Sequence, residues 1–183
     1  RSRLTGTFTS PSSTISFFSN FRRIPTHFPA RAPPAAPPLP VPGFFPNRSG
    51  GYEIRNKFFK GCIAPKDITH IRQTEPGETC CLFEGFMDYL SFLTLRQARH
   101  PDRPALDGQE YIVLNSVSNV EKAMRYLGGY GRIDCYLDRD EAGRRTLEML
   151  KGHYEERVCD RSALYDGCKD LNEYLQLTTK KEQ

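Results

Sequence analysis

Short apolar runs alternate with segments of helical periodicity between residues 79 and 177, and this alternation restricts the fold more than any other feature. Strands are predicted at residues 79–83, 111–114, 133–137 and 157–159. Helices are predicted at residues 87–98, 120–127, 142–150 and 171–177. Strands that alternate with helices of about ten residues build right-handed βαβ units. We therefore predict an α/β fold with about four mostly parallel strands flanked by helices.

The first 50 residues differ in composition from the rest of the chain. They contain six of its 26 Lys and Arg residues and none of its 22 Asp and Glu residues, and eight prolines lie between residues 28 and 46. Because proline favours an extended chain, residues 1–50 are predicted to be a disordered, basic, proline-rich tail or linker. A short β-rich lead-in at 51–78, the α/β domain at 79–177 and a disordered tail at 178–183 are predicted to follow. The net charge of +4 thus originates in the tail and does not indicate a broad nucleic-acid surface on the folded part.

The six cysteines form no C-x-x-C pair, and the histidines form no H-x(3–5)-H pair, so no zinc is expected. This usage is typical of reduced thiols in a cytosolic protein, so we predict a cytoplasmic location. The alternative is import into an organelle, since the first 27 residues are rich in Ser, Thr and Arg and lack acids, as transit peptides are. No apolar run approaches the roughly 18 residues of a membrane span, so no membrane partner is predicted.

Acidic residues follow two of the predicted strands at the point where the strand ends. Glu84 follows the first strand, Asp138 and Asp140 follow the third, and Asp170 lies past the fourth. In open α/β sheets, ligands bind beyond the carboxyl ends of the strands. If the first and third strands are neighbours, we expect Glu84, Asp138 and Asp140 to lie within a few ångströms of each other.

Carboxylates at such a spacing repel one another strongly. At about 4 Å and an effective dielectric constant of about 20, each pair costs on the order of 4 kcal/mol. Protonation or a hard divalent cation must compensate, and carboxylate oxygens select Mg²⁺ or Mn²⁺. Gly143 allows a backbone segment or a phosphate to approach the start of the third helix, whose N-terminus favours anions. The alternatives are a solvated D-x-D loop and, for Asp88 and Asp170, acids that complement helix dipoles.

Three motifs carry a resemblance to a known family. E-G-F-M-D at 84–88, D-R-D-E-A-G at 138–143 and K-D-L-N at 169–172 resemble the motifs of the Toprim domain, which bacterial-type DNA primases, type IA and II topoisomerases and some nucleases share. The stretch FEGFMDYLS is most similar to the primase branch, in particular to primase-like proteins of mobile elements. The resemblance covers about residues 50–177 and implies a Rossmann-like Toprim fold.

The resemblance also implies roles for the acids. Glu84 would be the general acid/base of phosphoryl transfer, and Asp138 and Asp140 would bind the principal Mg²⁺ (or Mn²⁺). Asp88 and Asp170, together with Asn172, would complete a second or shared metal position. Contacts to nucleic-acid phosphates are expected from five local basic residues: Arg144, Arg145, Arg55, Lys57 and Lys60. The alternative is that these side chains only form ordinary solvated faces.

By the same resemblance, the expected activity is Mg²⁺-dependent, primase-like nucleotidyl transfer in the replication of a mobile element or a chromosome. The expected partners are single-stranded DNA, nucleotides, and a helicase or other replication proteins. The chain departs from the primase pattern because it lacks the spacing of an amino-terminal zinc-binding module and a larger basic subdomain before Toprim, and it has Asn115-Ser116 in place of a small Gly/Thr turn. A truncated chain that needs other subunits is therefore predicted. The alternatives are a Toprim nuclease, a non-catalytic nucleic-acid-binding or mobilisation protein, and an inert gene fragment.

Overall fold

The structure is a computed structural model that describes residues 43–56, 58–73, 77–102 and 109–181. Residues 1–42 of the predicted tail at 1–50 lie outside the described residues, and so do residues 182 and 183 of the predicted tail at 178–183. A small antiparallel sheet begins the described part and consists of β1 (Phe44–Pro46), β2 (Tyr52–Arg55) and β3 (Lys60–Ile63). Its first strand lies within the stretch that was assigned to the tail.

The main sheet has five strands in the spatial order β4-β6-β5-β7-β8. Four of them are parallel, and β4 pairs antiparallel with β6 at one edge. Their bounds are β4 (Thr69–Ile71), β5 (Thr79–Phe83), β6 (Gln109–Val113), β7 (Arg132–Tyr136) and β8 (Val158–Asp160). The predicted mostly parallel sheet is thereby confirmed, and the antiparallel edge strand comes from the lead-in.

Four helices cover both faces of the main sheet, at α1 (Phe86–Arg99), α2 (Val120–Leu127), α3 (Glu141–Tyr154) and α4 (Leu171–Lys181). Cys81 and Phe83 of β5 point into a core shared with α1 and α4. Cys80 and Leu82 point into the opposite core, shared with α2 and α3. Because both faces of the strand are buried, β5 is a continuous apolar run rather than an alternating one.

The small sheet is attached to the main domain at the start of α1. The ring of Phe45 in β1 stacks on Phe86, with ring centroids 5.0 Å apart and the planes 7° from parallel. The hydroxyl of Thr69 in β4 also donates to the carbonyl of Pro46 at 2.7 Å. These contacts hold the small sheet beside the carboxyl edge of the main sheet. None of the helices in the described part of the chain combines the length and the hydrophobicity of a transmembrane span.

Candidate active site

Glu84 and Asp138 meet because their strands are direct neighbours. β5 and β7 pair in parallel with Phe83 opposite Tyr136, so the chain leaves both strands at the same edge of the sheet. The backbone N–H of Asp138 donates to Oε2 of Glu84 at 3.3 Å. The sequence could not establish that the first and third predicted strands are neighbours, and the structure shows that they are.

Asp140 is the N-cap of α3 and is held by the backbone of that helix. Its Oδ1 accepts hydrogen bonds from the N–H groups of Ala142 and Gly143, both at 3.0 Å. These bonds, together with the nearby ammonium group of Lys169, lower the pKa of Asp140. A Cβ at position 143 would lie 2.0 Å from the carbonyl oxygen of Asp138, so only glycine allows this approach. The glycine thus fixes the D-x-D loop against the first turn of α3.

Lys169 joins the two aspartates. Its Nζ lies 3.1 Å from Oδ2 of Asp138 and 3.7 Å from Oδ2 of Asp140. The backbone N–H of Arg139 donates to the carbonyl of Lys169 at 2.8 Å, so the two loops are also tied through the main chain. Lys169 was not among the predicted site residues, although its position beside Asp170 in K-D-L-N was a usable signal.

The packing of α1 against α4 brings Asp88, Asp170 and Asn172 into the same region. Asp88 is only 7% exposed, and its Oδ1 accepts a hydrogen bond from the backbone N–H of Asn172 at 3.1 Å. Oδ1 of Asp170 accepts from the N–H of Glu173 at 2.7 Å, as an acid at a helix N-terminus does. The side-chain carbonyl of Asn172 accepts from the hydroxyl of Ser91 at 3.3 Å. All three residues line the same cleft as Glu84 and Asp138.

Three carboxyl groups of this cluster are hard to ionise in the absence of a cation. Burial and the negative charge of Asp138 raise the pKa of Glu84 to about 7. Burial and the charges of Asp170 and Asp138 raise the pKa of Asp88 to about 7. Burial also raises the pKa of Asp138, although Lys169 opposes the rise. The cluster therefore favours either bound protons or a bound cation near neutral pH.

The donor atoms of the cluster suit a hard divalent ion. Asp138 and Asp140 present carboxylate oxygens to one ammonium group, which acts as a stand-in cation between them. Among the described residues, no three His, Cys, Asp or Glu side chains converge as a complete ligand set. Mg²⁺ commonly takes one or two protein carboxylates and completes its shell with water and substrate phosphate oxygens. Asp138 and Asp140 fit that requirement.

The carboxylates line a cleft of about 480 Å³ together with part of the small sheet. Arg55 and Lys60 are cross-strand partners in β2 and β3, and both are exposed side chains in the lining. Lys66, which follows β3, is a third basic side chain in the lining. We call Arg55, Lys60 and Lys66 the basic wall. Phe58, at the tip of the same hairpin, is 91% exposed. Lys57 lies outside the described residues.

The two arginines of α3 occupy other places. Arg144 donates from Nη1 to the carbonyl of Arg139 at 3.0 Å and lines a separate hollow of about 230 Å³ behind Asp138. Arg145 forms an exposed i,i+4 ion pair with Glu141 at 3.4 Å. Neither side chain is part of the cleft lining.

Asn115 occupies the turn where the sequence departs from the primase pattern. It lies at the end of β6, lines the cleft and has a φ of 63°. Its amide nitrogen donates to the carbonyl of Asp67 at 3.0 Å and to the hydroxyl of Thr69 at 3.1 Å. Asparagine tolerates this left-handed conformation better than most residues, so the departure is compatible with a tight turn.

Comparison with protein families gives two matches. A family model described as Toprim-like matches residues 81–175, which is just over half of the 183-residue chain. A domain of unknown function (DUF8464) matches residues 44–64, the stretch that forms the small sheet. No curated protein is similar in sequence to this chain.

Solved structures share the fold at low sequence identity. The primase fragment of the bacteriophage T7 primase–helicase protein superposes with a TM-score of 0.54 at 20% identity, over 76% of this chain. This chain spans only 58% of the length of that fragment. A chain from the structure of the T7 lagging-strand DNA polymerase interacting with primase domains of two gp4 subunits gives a TM-score of 0.49 at 18% identity, covering 76% of this chain and 72% of that one.

Proposed function

This chain belongs to the Toprim-like family, and on that premise we propose that it is a Mg²⁺- or Mn²⁺-dependent, primase-like nucleotidyl transferase. The observation that carries the proposal is the meeting of Glu84, Asp138 and Asp140 at one edge of the sheet. The substrates are single-stranded DNA and nucleotides, and the partners are a helicase or other replication proteins. The setting is the replication of a mobile element or a chromosome in a bacterial cytoplasm.

Glu84 is suited to move a proton near neutral pH. Without an ion its pKa is raised to about 7, and an ion bound at Asp138 and Asp140 would lower that pKa and favour the carboxylate, which is the form that accepts a proton. The N–H of Asp138 holds one of its oxygens at the edge of the cleft. Glu84 can therefore accept the proton of an attacking hydroxyl group that lies in the cleft.

Asp138 and Asp140 would hold a divalent ion, which would supply neutralisation of phosphate charge and activation of the attacking oxygen. Gly143 and the N-cap bonds keep both carboxylates in place before substrate arrives. The basic wall binds further phosphates of the substrate, as lysine and arginine side chains do by charge and hydrogen bonding. Arg144 and Arg145 extend the phosphate contacts beyond the cleft.

The test is synthesis on single-stranded DNA in the presence of Mg²⁺ and nucleoside triphosphates. We expect new oligonucleotide products from the wild-type protein and a rate at least about 100-fold lower for Glu84→Gln, which keeps the shape of the side chain but cannot act as a base. Glu148→Gln, on an exposed position of α3, is the matched control and should synthesise at the wild-type rate.

Other outcomes identify the rival functions. Shortening of the DNA without new product would indicate a nuclease, in which water replaces the primer hydroxyl. If Glu84→Gln leaves both DNA binding and the cellular function unchanged, the protein acts as a non-catalytic nucleic-acid-binding or mobilisation protein. Adding a replication helicase to the synthesis assay tests whether the activity depends on a partner.

A further inference from the structure

We infer that Lys169 is a built-in counter-cation: its ammonium group occupies the place of the divalent ion between Asp138 and Asp140, leaves when the ion binds, and then contacts the phosphate of the substrate. The inference deepens the proposed function and rests on it. It assigns a positioning role to a residue outside the set of acids, and it couples ion binding to substrate binding.

Lys169 lies beside the carboxylate oxygens that are available to a cation. Oδ1 of Asp140 is already used by the N–H groups at the start of α3, so Oδ2 is the oxygen that remains for a cation. That atom lies 3.7 Å from Nζ of Lys169, and Oδ2 of Asp138 lies 3.1 Å from it. The ammonium group therefore stands at the oxygens that a divalent ion needs.

Only the side chain of Lys169 has to move when an ion binds. Its carbonyl accepts from the N–H of Arg139 at 2.8 Å, and its own N–H donates to Oε2 of Glu173 at 2.6 Å. The main chain at Lys169 is therefore held on both sides. By contrast, the side chain is 57% exposed, whereas that of Asp138 is 14% exposed. A long, flexible and exposed side chain can leave its partners without any rearrangement of the fold.

Electrostatic repulsion couples the binding of the ion to the departure of the ammonium group. Two cations that share the same carboxylate oxygens lie within a few ångströms of each other and repel strongly. A divalent ion must therefore displace the ammonium group, and the ion affinity of the wild-type protein is lowered by the lost ion pair. Lys169 lines the same cleft as Arg55 and Lys60, so the displaced side chain has that cleft to move into. A substrate phosphate in the cleft would hold it there, so nucleotide should strengthen ion binding.

The experiment measures Mn²⁺ binding by calorimetry without nucleotide, and then again with a non-hydrolysable nucleoside triphosphate. Without nucleotide, Lys169→Met should bind Mn²⁺ about fivefold more tightly than wild type, which is the upper end of the effect expected for removing a partly exposed ion pair. Lys66→Met removes the same charge from the same cleft without touching the aspartates, and should shift the affinity by less than about twofold. With nucleotide, wild type should gain Mn²⁺ affinity, and Lys169→Met should gain less.

A conservative variant separates charge from general structural damage. Lys169→Arg keeps the positive charge and should have a Mn²⁺ affinity close to that of wild type. The inference is overturned if Lys169→Met binds Mn²⁺ no more tightly than Lys66→Met does, or if Lys169→Met weakens binding.

The proposed function has its own failure signature in the same measurements. If wild type binds Mn²⁺ and Asp138→Asn weakens the binding, but Lys169→Met equals wild type, only the role of Lys169 is wrong. If neither wild type nor Lys169→Met binds Mn²⁺, the proposed metal site and the inference fail together.

Discussion

Replacing Asp88 with asparagine should stabilise the metal-free protein, by an amount that grows with pH. Asp88 is 7% exposed, and its carboxylate has one hydrogen bond, from the N–H of Asn172. Burial and the charges of Asp170 and Asp138 raise its pKa from 3.8 to about 7. Asparagine has nearly the same shape and keeps an oxygen that accepts the hydrogen bond, but it carries no charge.

The sign follows from proton binding. Between about pH 4 and pH 7 the folded state holds a proton on Asp88 that the unfolded state has released, so the stability of the wild-type protein falls as pH rises through that window. Relative to a neutral group, the cost of Asp88 is about 2 kcal/mol at pH 5 and about 4 kcal/mol at pH 8. At pH 8, where Asp88 is ionised, the asparagine variant loses up to about 1 kcal/mol because an acid in the first turn of α1 favours the helix dipole. At pH 5 the folded state holds Asp88 neutral, so this loss is absent. The net gain is therefore about 2 kcal/mol at pH 5 and about 3 kcal/mol at pH 8.

The assay is urea unfolding of the metal-free proteins at both pH values, with Asp102→Asn as the control at an exposed carboxylate. The control should change the free energy of unfolding by less than about 0.5 kcal/mol at either pH. At saturating Mg²⁺ the advantage of Asp88→Asn should shrink, because an ion that binds the folded state stabilises the wild-type protein. A gain in stability that is independent of pH, or a loss of stability at pH 8, would show that burial and charge repulsion do not raise the pKa of Asp88.

Three further changes test other parts of the site. Asp138→Asn should weaken Mg²⁺ or Mn²⁺ binding at least about tenfold by calorimetry, because it removes a charged ligand, and an unchanged affinity would exclude this residue as a ligand. Gly143→Ala should lower the free energy of unfolding in urea by about 1–3 kcal/mol, because the added Cβ would lie 2.0 Å from a carbonyl oxygen. Gly152→Ala, in the same helix, is the control: its Cβ meets nothing within 4 Å, so this change should raise the free energy of unfolding by about 0.5–1 kcal/mol. Phe45→Ala removes the stacking on Phe86, so it should raise the rate of hydrogen exchange in β1–β3 and weaken the binding of single-stranded DNA. An unchanged exchange rate would show that other contacts attach the small sheet.

The predicted elements of the α/β domain agree with the structure because each depends on residues within its own run. The apolar run at 79–83 forms β5 with the same bounds, and the segment at 120–127 forms α2. The helix predicted at 142–150 is longer in the structure, Glu141–Tyr154, because Asp140 caps its start and the apolar periodicity continues through Leu150 and Tyr154. The apolar periodicity of a segment therefore predicts a strand or helix well when its conformation depends on residues within that segment.

The acidic cluster was predictable in part. Acids that follow parallel strands must lie at one edge of the sheet, whatever the order of the strands. That β5 and β7 are neighbours, with β6 on the other side of β5, depends on the crossover connections and could not be read from the motifs.

The sequence by itself determined the kinds of element, their order along the chain and the carboxylates that end the strands, because these follow from periodicity and residue type over short distances. Only the tertiary structure decided that Lys169 covers Asp138 and Asp140, and that Arg55 and Lys60 share a cleft with Glu84. These residues are separated by some 24 to 31 positions, and the contact between them comes from the packing of whole strands and helices. No local pattern encodes a charge partner that reaches the site from another element.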